Sequence, residues 1–283
     1  MSEKIGLIDV GGGMRDIYGT GVLDFCLDND IKFDCCIGIS AGAGNIASYI
    51  AGQHSRSRRY YEIYSARRKY MSLWNFITTG SYIGMDYVYG YLPSSKGEDP
   101  WDYEAAKNHG AEFIIVASNA LTGEPEYFTM DDLELDDYTP MKCSACIPVV
   151  CKPIMFRGIP YYDGAITAPI PIEKAFEHGC DKVVVILTRP VDFRKSQGSI
   201  AKFYKSVAKK YPEFGKKLYE RHTLYNDSLE NILNNYVPNG KAVVIAPDDC
   251  CGIDTLVHDS EKMSRLYHKG YDDGIKIKSF LNL

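Results

Sequence analysis

The sequence is defined first by what is missing. It has no basic excess: 32 Lys and Arg face 37 Asp and Glu, for a formal charge of -5. A global positive field that would attract nucleic acid is therefore absent, and no nucleic-acid partner is expected. It has no long apolar run. The longest in the second half, Val183 to Leu187, is far too short to span a bilayer. The start, Met1-Ser2-Glu3-Lys4, lacks an apolar leader, so the expectation is a cytoplasmic chain with reduced thiols. There is no acidic loop with EF-hand spacing, no internal repeat and no low-complexity tract. Cysteine is not scarce, but nine is an odd number for a disulfide framework. Cys143-Ser144-Ala145-Cys146 has redox spacing without the second pair that zinc needs, and its apolar surroundings predict a helix packed on the core.

What remains is an ordinary globular composition, 45% hydrophobic and 24% charged over 283 residues. That length suits one large α/β domain. Strand and helix signals alternate from the start, which predicts a layered α/β fold on a mainly parallel sheet. Ile5–Val10 reads as a strand, followed by a glycine turn and a helix over about 17–27 with Asp16 at its N-cap. The strand through Cys35, Cys36 and Ile37 leads to Ser40 and a helix rich in small residues. Phe113–Ser118 reads as a strand with a short return at Tyr127-Phe128, and a short helix is predicted between Pro140 and Pro148. Strands near 154–156 and 159–162 lead to Asp163-Gly164-Ala165. Pro171 fits the first turn of a helix ending near Gly179. Val183–Leu187 reads as a buried parallel strand, 200–235 as lysine-rich helix, and Ala242–Ala246 as the last strand before two amphipathic helices.

Two stretches carry the chemistry. Gly11-Gly12-Gly13-Met14-Arg15 follows the first strand, and Gly38-Ile39-Ser40-Ala41-Gly42 follows the second. A serine between glycines on a strand-to-helix turn is the nucleophile-elbow pattern. A glycine run beside it can aim backbone N–H groups at an oxyanion. The same glycines also suggest a dinucleotide fingerprint. Against that, Asp16 stands where the third glycine belongs and would oppose a pyrophosphate. The second strand also ends at Ser40 instead of an acidic residue. For a base, none of the six histidines lies in a motif-like setting, although His178 and others follow Asp163 and leave a Ser-Asp-His order open. Asp163, at a strand end before Gly164-Ala165, is the stronger candidate. The region from Arg56 to Tyr91 is rich in arginine and tyrosine. It suits either a peripheral membrane contact or a solvated helix with tyrosines packed on the domain, and the acidic net charge favours the second.

Taken together, the Gly11–Arg15 loop, the Gly38–Gly42 elbow and Asp163-Gly164-Ala165, in that order, resemble the bacterial patatin-like phospholipases. Lys142 to Pro148 also resembles the small-residue helix and proline of that family. The motif-bearing likeness covers about residues 5–190, and the mostly helical part from about 195 to 283, with one further strand, is similar more loosely. The resemblance implies a single domain over 1–283 with a three-layer α/β/α sandwich. It also implies a lipid acyl hydrolase with a Ser40–Asp163 dyad, an acyl-serine intermediate, and an oxyanion hole from Gly11, Gly12, Gly13 and Met14. Arg15, Gly38, Gly42 and Gly164 would support the motifs. The substrate would be a lipid or other acyl ester, with no metal and no organic cofactor. Arg15 is expected to hold the loop through carboxylate or carbonyl contacts. One position departs from the family: Asp16 replaces a glycine. An aspartate there can cap a helix, but it brings negative charge near the loop and would strain a position needing positive φ. A catalytically weakened lipid- or partner-binding protein on the same fold is therefore the alternative.

Overall fold

Short β-branched runs bounded by glycine and polar turns become the strands, and the segments between them become helices on both faces. The computed structural model describes residues 3–197 and 204–283. The first half comprises β1 (Ile5–Asp9), α1 (Ile17–Asp28), β2 (Cys35–Ile39), α2 (Ala41–Ile50), α3 (Arg56–Glu62), α4 (Leu73–Thr79), α5 (Tyr103–Lys107), β3 (Glu112–Asn119) and β4 (Pro125–Thr129). Then follow α6 (Thr139–Ser144), the hairpin of β5 (Ile154–Phe156) and β6 (Ile159–Asp163), α7 (Ile172–Glu177) and β7 (Lys182–Ile186). The chain ends with α8 (Tyr204–Lys210), α9 (Pro212–Asn231), β8 (Ala242–Ile245), α10 (Ser260–Asp273) and α11 (Ile275–Leu281). The helix predicted over 200–235 is two helices and a π-turn, Ile232–Tyr236; its first residues, 200–203, lie outside the described residues.

The sheet's hydrogen-bonded path is β5-β6-β3-β2-β1-β7-β8, with β4 also on β3. β3, β2, β1, β7 and β8 are mutually parallel, and β4, β5 and β6 join antiparallel. Alternate residues of the central strands feed two cores. Leu7, Cys36, Val184 and Ile186 pack on one face with α1, α2 and α10. Ile8, Cys35, Ile37, Val183 and Val185 pack on the other with α7 and α9. This is a three-layer α/β/α sandwich, and its continuous apolar strands have the composition expected of strands buried on both faces. All nine cysteines are free, and Cys143 and Cys146 are buried at the end of α6 as their surroundings predict. No described helix is long and apolar enough to cross a membrane.

One detail of register positions the site. Val116 on β3 is partnered by Ile39 of β2 and by Tyr127 of β4, so those two strands occupy opposite edges of β3. Ala117 is partnered by Glu126 of β4 and by Asp163 of β6. β6 therefore lies on the edge that β2 has just left. β2 runs along that edge to Ile39 and turns away at Ser40, while β6 arrives from the other direction and stops at Asp163. The C-terminal ends of two strands meet head-on, and Asp163 takes the pairing position that Ser40 would have held.

Candidate active site

Ser40 sits on the turn between β2 and α2 with φ 57° and ψ -125°, a strained conformation for a residue with a side chain. It is one of few non-glycine residues at positive φ, and its N–H donates to Ser144 Oγ at 2.8 Å. The turn is tight enough that only small residues fit. A Cβ on Gly38 would lie 2.5 Å from Ala43 Cα, and one on Gly42 would lie 2.4 Å from the Asp9 carbonyl oxygen. Gly164 serves Asp163 in the same way, since a Cβ there would lie 2.2 Å from the Val116 carbonyl oxygen. Asp163 is buried. Its Oδ1 accepts from Ala165 N–H at 2.9 Å, and its backbone is fixed by Cys146 O at 2.9 Å and Ser118 Oγ at 2.7 Å. Burial raises its pKa from the ordinary carboxylate value. The main opposing influence is a hydrogen bond from the Ser40 hydroxyl, followed by Ala165 N–H, Arg221 and Lys195.

The glycine loop closes against the end of β2. Gly11, Gly12 and Gly13 all have positive φ. The four N–H groups expected to face an oxyanion do not all do so. Gly11 N–H donates to Asp9 Oδ1 at 3.1 Å, and Met14 N–H donates to the Thr255 carbonyl at 3.0 Å. Those of Gly12 and Gly13 have no partner among the described residues, so the free donors narrow to this pair. Arg15 holds the loop as its expected carboxylate contacts require. Nη1 donates to Asp254 Oδ1 at 2.5 Å and to Thr255 Oγ1 at 2.8 Å.

Asp16 corrects one expectation and removes a concern. It occupies the N-cap of α1 but accepts no capping hydrogen bond. Its φ is -78°, so the aspartate is unstrained where the family has glycine. The side chain is fully buried, lines neither cleft described below, and faces the carboxylate of Asp9. Gly19 leaves the room, since a Cβ there would lie 2.5 Å from Asp16 Oδ1 and 2.9 Å from Asp9 Oδ2. Two carboxylates in a closed space share a proton. Burial raises Asp9 to about 6, and burial followed by the Asp9 charge raises Asp16 well above its ordinary value. Asn45 on α2 ties this pair to α1 and α3, donating to Asp9 Oδ2 at 3.4 Å and to the Asp16 carbonyl at 3.0 Å while its Oδ1 accepts from Thr20 at 3.0 Å and Tyr61 at 3.2 Å.

Two clefts meet at Ser40. One is apolar, lined by Tyr60, Tyr70, Met71, Met85, Val88 and Tyr138 among others. Of the tyrosines in the Arg56–Tyr91 region, Tyr61, Tyr64 and Tyr70 are buried and several wall this cleft, while Tyr91 is exposed. The other cleft is polar, and Gly12, Arg15, Asp163, Thr188, Lys195 and Arg221 line it. No histidine lines either cleft. Among the described residues one cluster has metal-ligand character: Cys35, Glu112 and His178, with ligand atoms within 4.8 Å of one another. It lies at the opposite end of the strands from Ser40, and Glu112 is already paired with His178 at 2.8 Å and Lys4 at 3.3 Å.

Sequence reasoning missed Ser144, Asn45, Thr255 and, of the cations of the polar cleft, Arg189, Lys195 and Arg221. Ser144 lies inside the Lys142–Pro148 segment already singled out, so its neighbourhood was visible though its role was not. The others sit on separate elements with no local motif.

Comparison with known proteins bears on the same residues. The profile of the patatin-like phospholipase family matches residues 10–176, more than half of the chain. A second profile, described as a domain of unknown function, matches residues 211–281. The uncharacterized protein YjjU of Escherichia coli is 29% identical over 192 residues, 66% of this chain and 52% of YjjU. Lysophospholipase NTE1 of Candida albicans is 22% identical over 198 residues, 68% of this chain and 14% of that protein. The chain thus spans about half the length of the first relative and a small part of the second. The fold of VipD from Legionella pneumophila aligns over 98% of this chain and 67% of its own, with 14% identity and a TM-score of 0.50. Motif order, three-layer fold and family profile agree: this chain belongs to the patatin-like phospholipases.

Proposed function

We propose that the protein hydrolyses carboxylic esters of lipids with Ser40 as nucleophile and Asp163 as general base. One observation carries this reading: the ends of β2 and β6 meet on one edge of β3, with a strained serine on one and a buried carboxylate on the other. Asp163 accepts the Ser40 proton as Oγ attacks the ester carbonyl. The tetrahedral oxyanion takes hydrogen bonds from Gly12 and Gly13 N–H, a stabilisation worth about 2.7–4 kcal/mol per donor in other enzymes. Collapse of the intermediate expels the alcohol, which takes the proton from Asp163, and leaves acyl-Ser40. Asp163 then deprotonates water, which releases the acid and restores the serine. The raised pKa makes Asp163 a stronger base than a solvated carboxylate.

In this reading the apolar cleft takes the acyl chain. Beside its mouth stands α4, whose Leu73, Trp74, Phe76 and Ile77 are exposed. Tyr70, Met71 and Ile83, which flank the helix, line the cleft. Such a patch marks a surface that meets something apolar. With Arg68 over the Trp74 ring at 4.9 Å, it suits peripheral contact with a lipid surface.

A fluorophosphonate probe tests the chemistry. Wild type is expected to carry the adduct on Ser40, located by mass spectrometry, and Asp163→Asn to label far more slowly. A folded wild-type protein that takes no adduct, or takes it elsewhere, would overturn the assignment.

A further inference from the structure

The polar cleft carries a charge that the rest of the molecule does not. The chain is acidic overall, yet among the described residues Arg15, Arg189, Lys195 and Arg221 line this cleft against a single carboxylate, Asp163. Two of the four are compensated from outside, because Arg15 and Arg189 both reach Asp254, at 2.5 and 3.1 Å. Lys195 and Arg221 have no carboxylate within ion-pair distance among the described residues. Arg221 Nη1 donates to the Tyr204 hydroxyl at 2.6 Å, and Lys195 Nζ lies 4.1 Å from the centre of the Tyr225 ring. Lys195 is partly exposed. Burial first and the Arg221 charge second draw its pKa down to about 7, with Arg15 and Arg189 adding to the repulsion. Crowded like charges in a half-dry cleft destabilise the empty protein and are relieved by a bound anion.

We propose that Lys195 and Arg221, backed by Arg189, form a phosphate site for the alcohol side of the substrate, so that the preferred ester is an acyl lipid whose headgroup ends in a phosphomonoester. The assignment rests on Ser40 being the acyl acceptor. The two clefts diverge from that serine, so an acyl chain in the apolar one directs the headgroup into the polar one. A guanidinium fork and an ammonium are the usual partners of phosphate oxygens.

The same walls argue against a phosphocholine headgroup. A quaternary ammonium needs open aromatic faces or a spare carboxylate. Among the described residues the aromatic rings of this cleft are Phe193 and Tyr225. Arg189 covers the first at 4.5 Å and Lys195 the second at 4.1 Å. Among the described residues the one lining carboxylate is Asp163, and its Oδ1 already accepts from Ala165 N–H at 2.9 Å.

The test is calorimetric binding to the full-length Ser40→Ala protein, which cannot turn substrate over. Lysophosphatidate, lysophosphatidylcholine and monoacylglycerol of one short acyl chain are compared below their micelle concentrations, with inorganic phosphate as a fourth probe. Lysophosphatidate is expected to bind at least about tenfold tighter than either other lipid, as charge-assisted bidentate contacts require. In a Lys195→Met/Arg221→Gln variant that difference is expected to collapse. Equal affinities for the three lipids on the parent protein would overturn the proposal without any cleft variant, so a variant that fails to fold does not rescue it. A difference that survives in the folded variant would also overturn it. Inorganic phosphate binding as tightly as lysophosphatidate would make this a free-phosphate site and sink the headgroup assignment. Failure of Ser40 as nucleophile reads out separately, as a missing fluorophosphonate adduct on wild type.

Discussion

Three carboxylates set the behaviour of the site residue by residue, and each is displaced from its ordinary range by burial. For Asp163 the consequence is kinetic. As the proposed base it must be ionised, so kcat/KM for a soluble ester should fall as pH drops through its raised pKa, with a midpoint above the usual 3.8. A profile still flat at that pH would remove Asp163 from the role, as would an Asp163→Asn enzyme that retains nearly full activity where a loss of about 10²–10⁴-fold is expected. For the Asp9–Asp16 pair the consequence is stability. Both native pKa values lie above those of a solvated carboxylate, so the folded state holds a proton that the unfolded chain has already released. Stability from this pair is present at low pH and is lost as pH rises through about 6 and beyond. Asp16→Asn, which keeps a donor toward Asp9 and removes one charge, should flatten the fall in melting temperature between neutral and alkaline pH. A steeper fall in the variant would show that the pair is not sharing a proton. The sequence revealed Asp16 as a departure but not the direction of its side chain. That depends on the space at Gly19 and on Asp9, a residue that a strand pattern alone marks only as the end of β1.

At the scale of the element, the local motifs were legible because each is enforced by close backbone approach. Gly38→Ala tests that enforcement. Its Cβ would press on the backbone of Ala43, so β2 and α2 must move apart. The expected cost is about 1–3 kcal/mol by urea unfolding. Gly52 has positive φ but open space around it, so Gly52→Ala should cost only the conformational penalty of about 1–2 kcal/mol. If Gly38→Ala proves milder than Gly52→Ala, steric closeness is not what the glycine serves. The helix α4 was less legible. Its apolar residues sit in a segment whose arginines and tyrosines dominate the composition, and nothing in the sequence says that Tyr61, Tyr64 and Tyr70 turn inward while Leu73, Trp74 and Ile77 stay out. Replacing Trp74 and Ile77 with serine should lower the ratio of activity on vesicles to activity on a dispersed ester several-fold. An unchanged ratio would leave α4 without a role at the lipid surface.

For the whole molecule, the decisive arrangement is non-local. The fold class followed from alternating strand and helix signals, but the meeting of Ser40 with Asp163 depends on β6 joining β3 on the edge that β2 vacates, and no sequence spacing encodes an edge. The polar cleft is built the same way, from Arg15, Arg189, Lys195 and Arg221 on well-separated segments. Because the proposed chemistry runs through backbone N–H groups and one carboxylate, ester hydrolysis should survive EDTA. Activity lost on chelation and restored by calcium would contradict it. The loop that offers those N–H groups is held from far along the chain, since Thr255 accepts the Met14 N–H and Asp254 and Thr255 together grip Arg15. The stretch bearing all three signature motifs is therefore not a detachable minimal hydrolase. A fragment ending before these residues would keep the proposed nucleophile and base yet lose the brace on the proposed anion trap, so on this reading insertions or partners that tug on the chain near residue 255 would throttle turnover without touching either proposed reacting group.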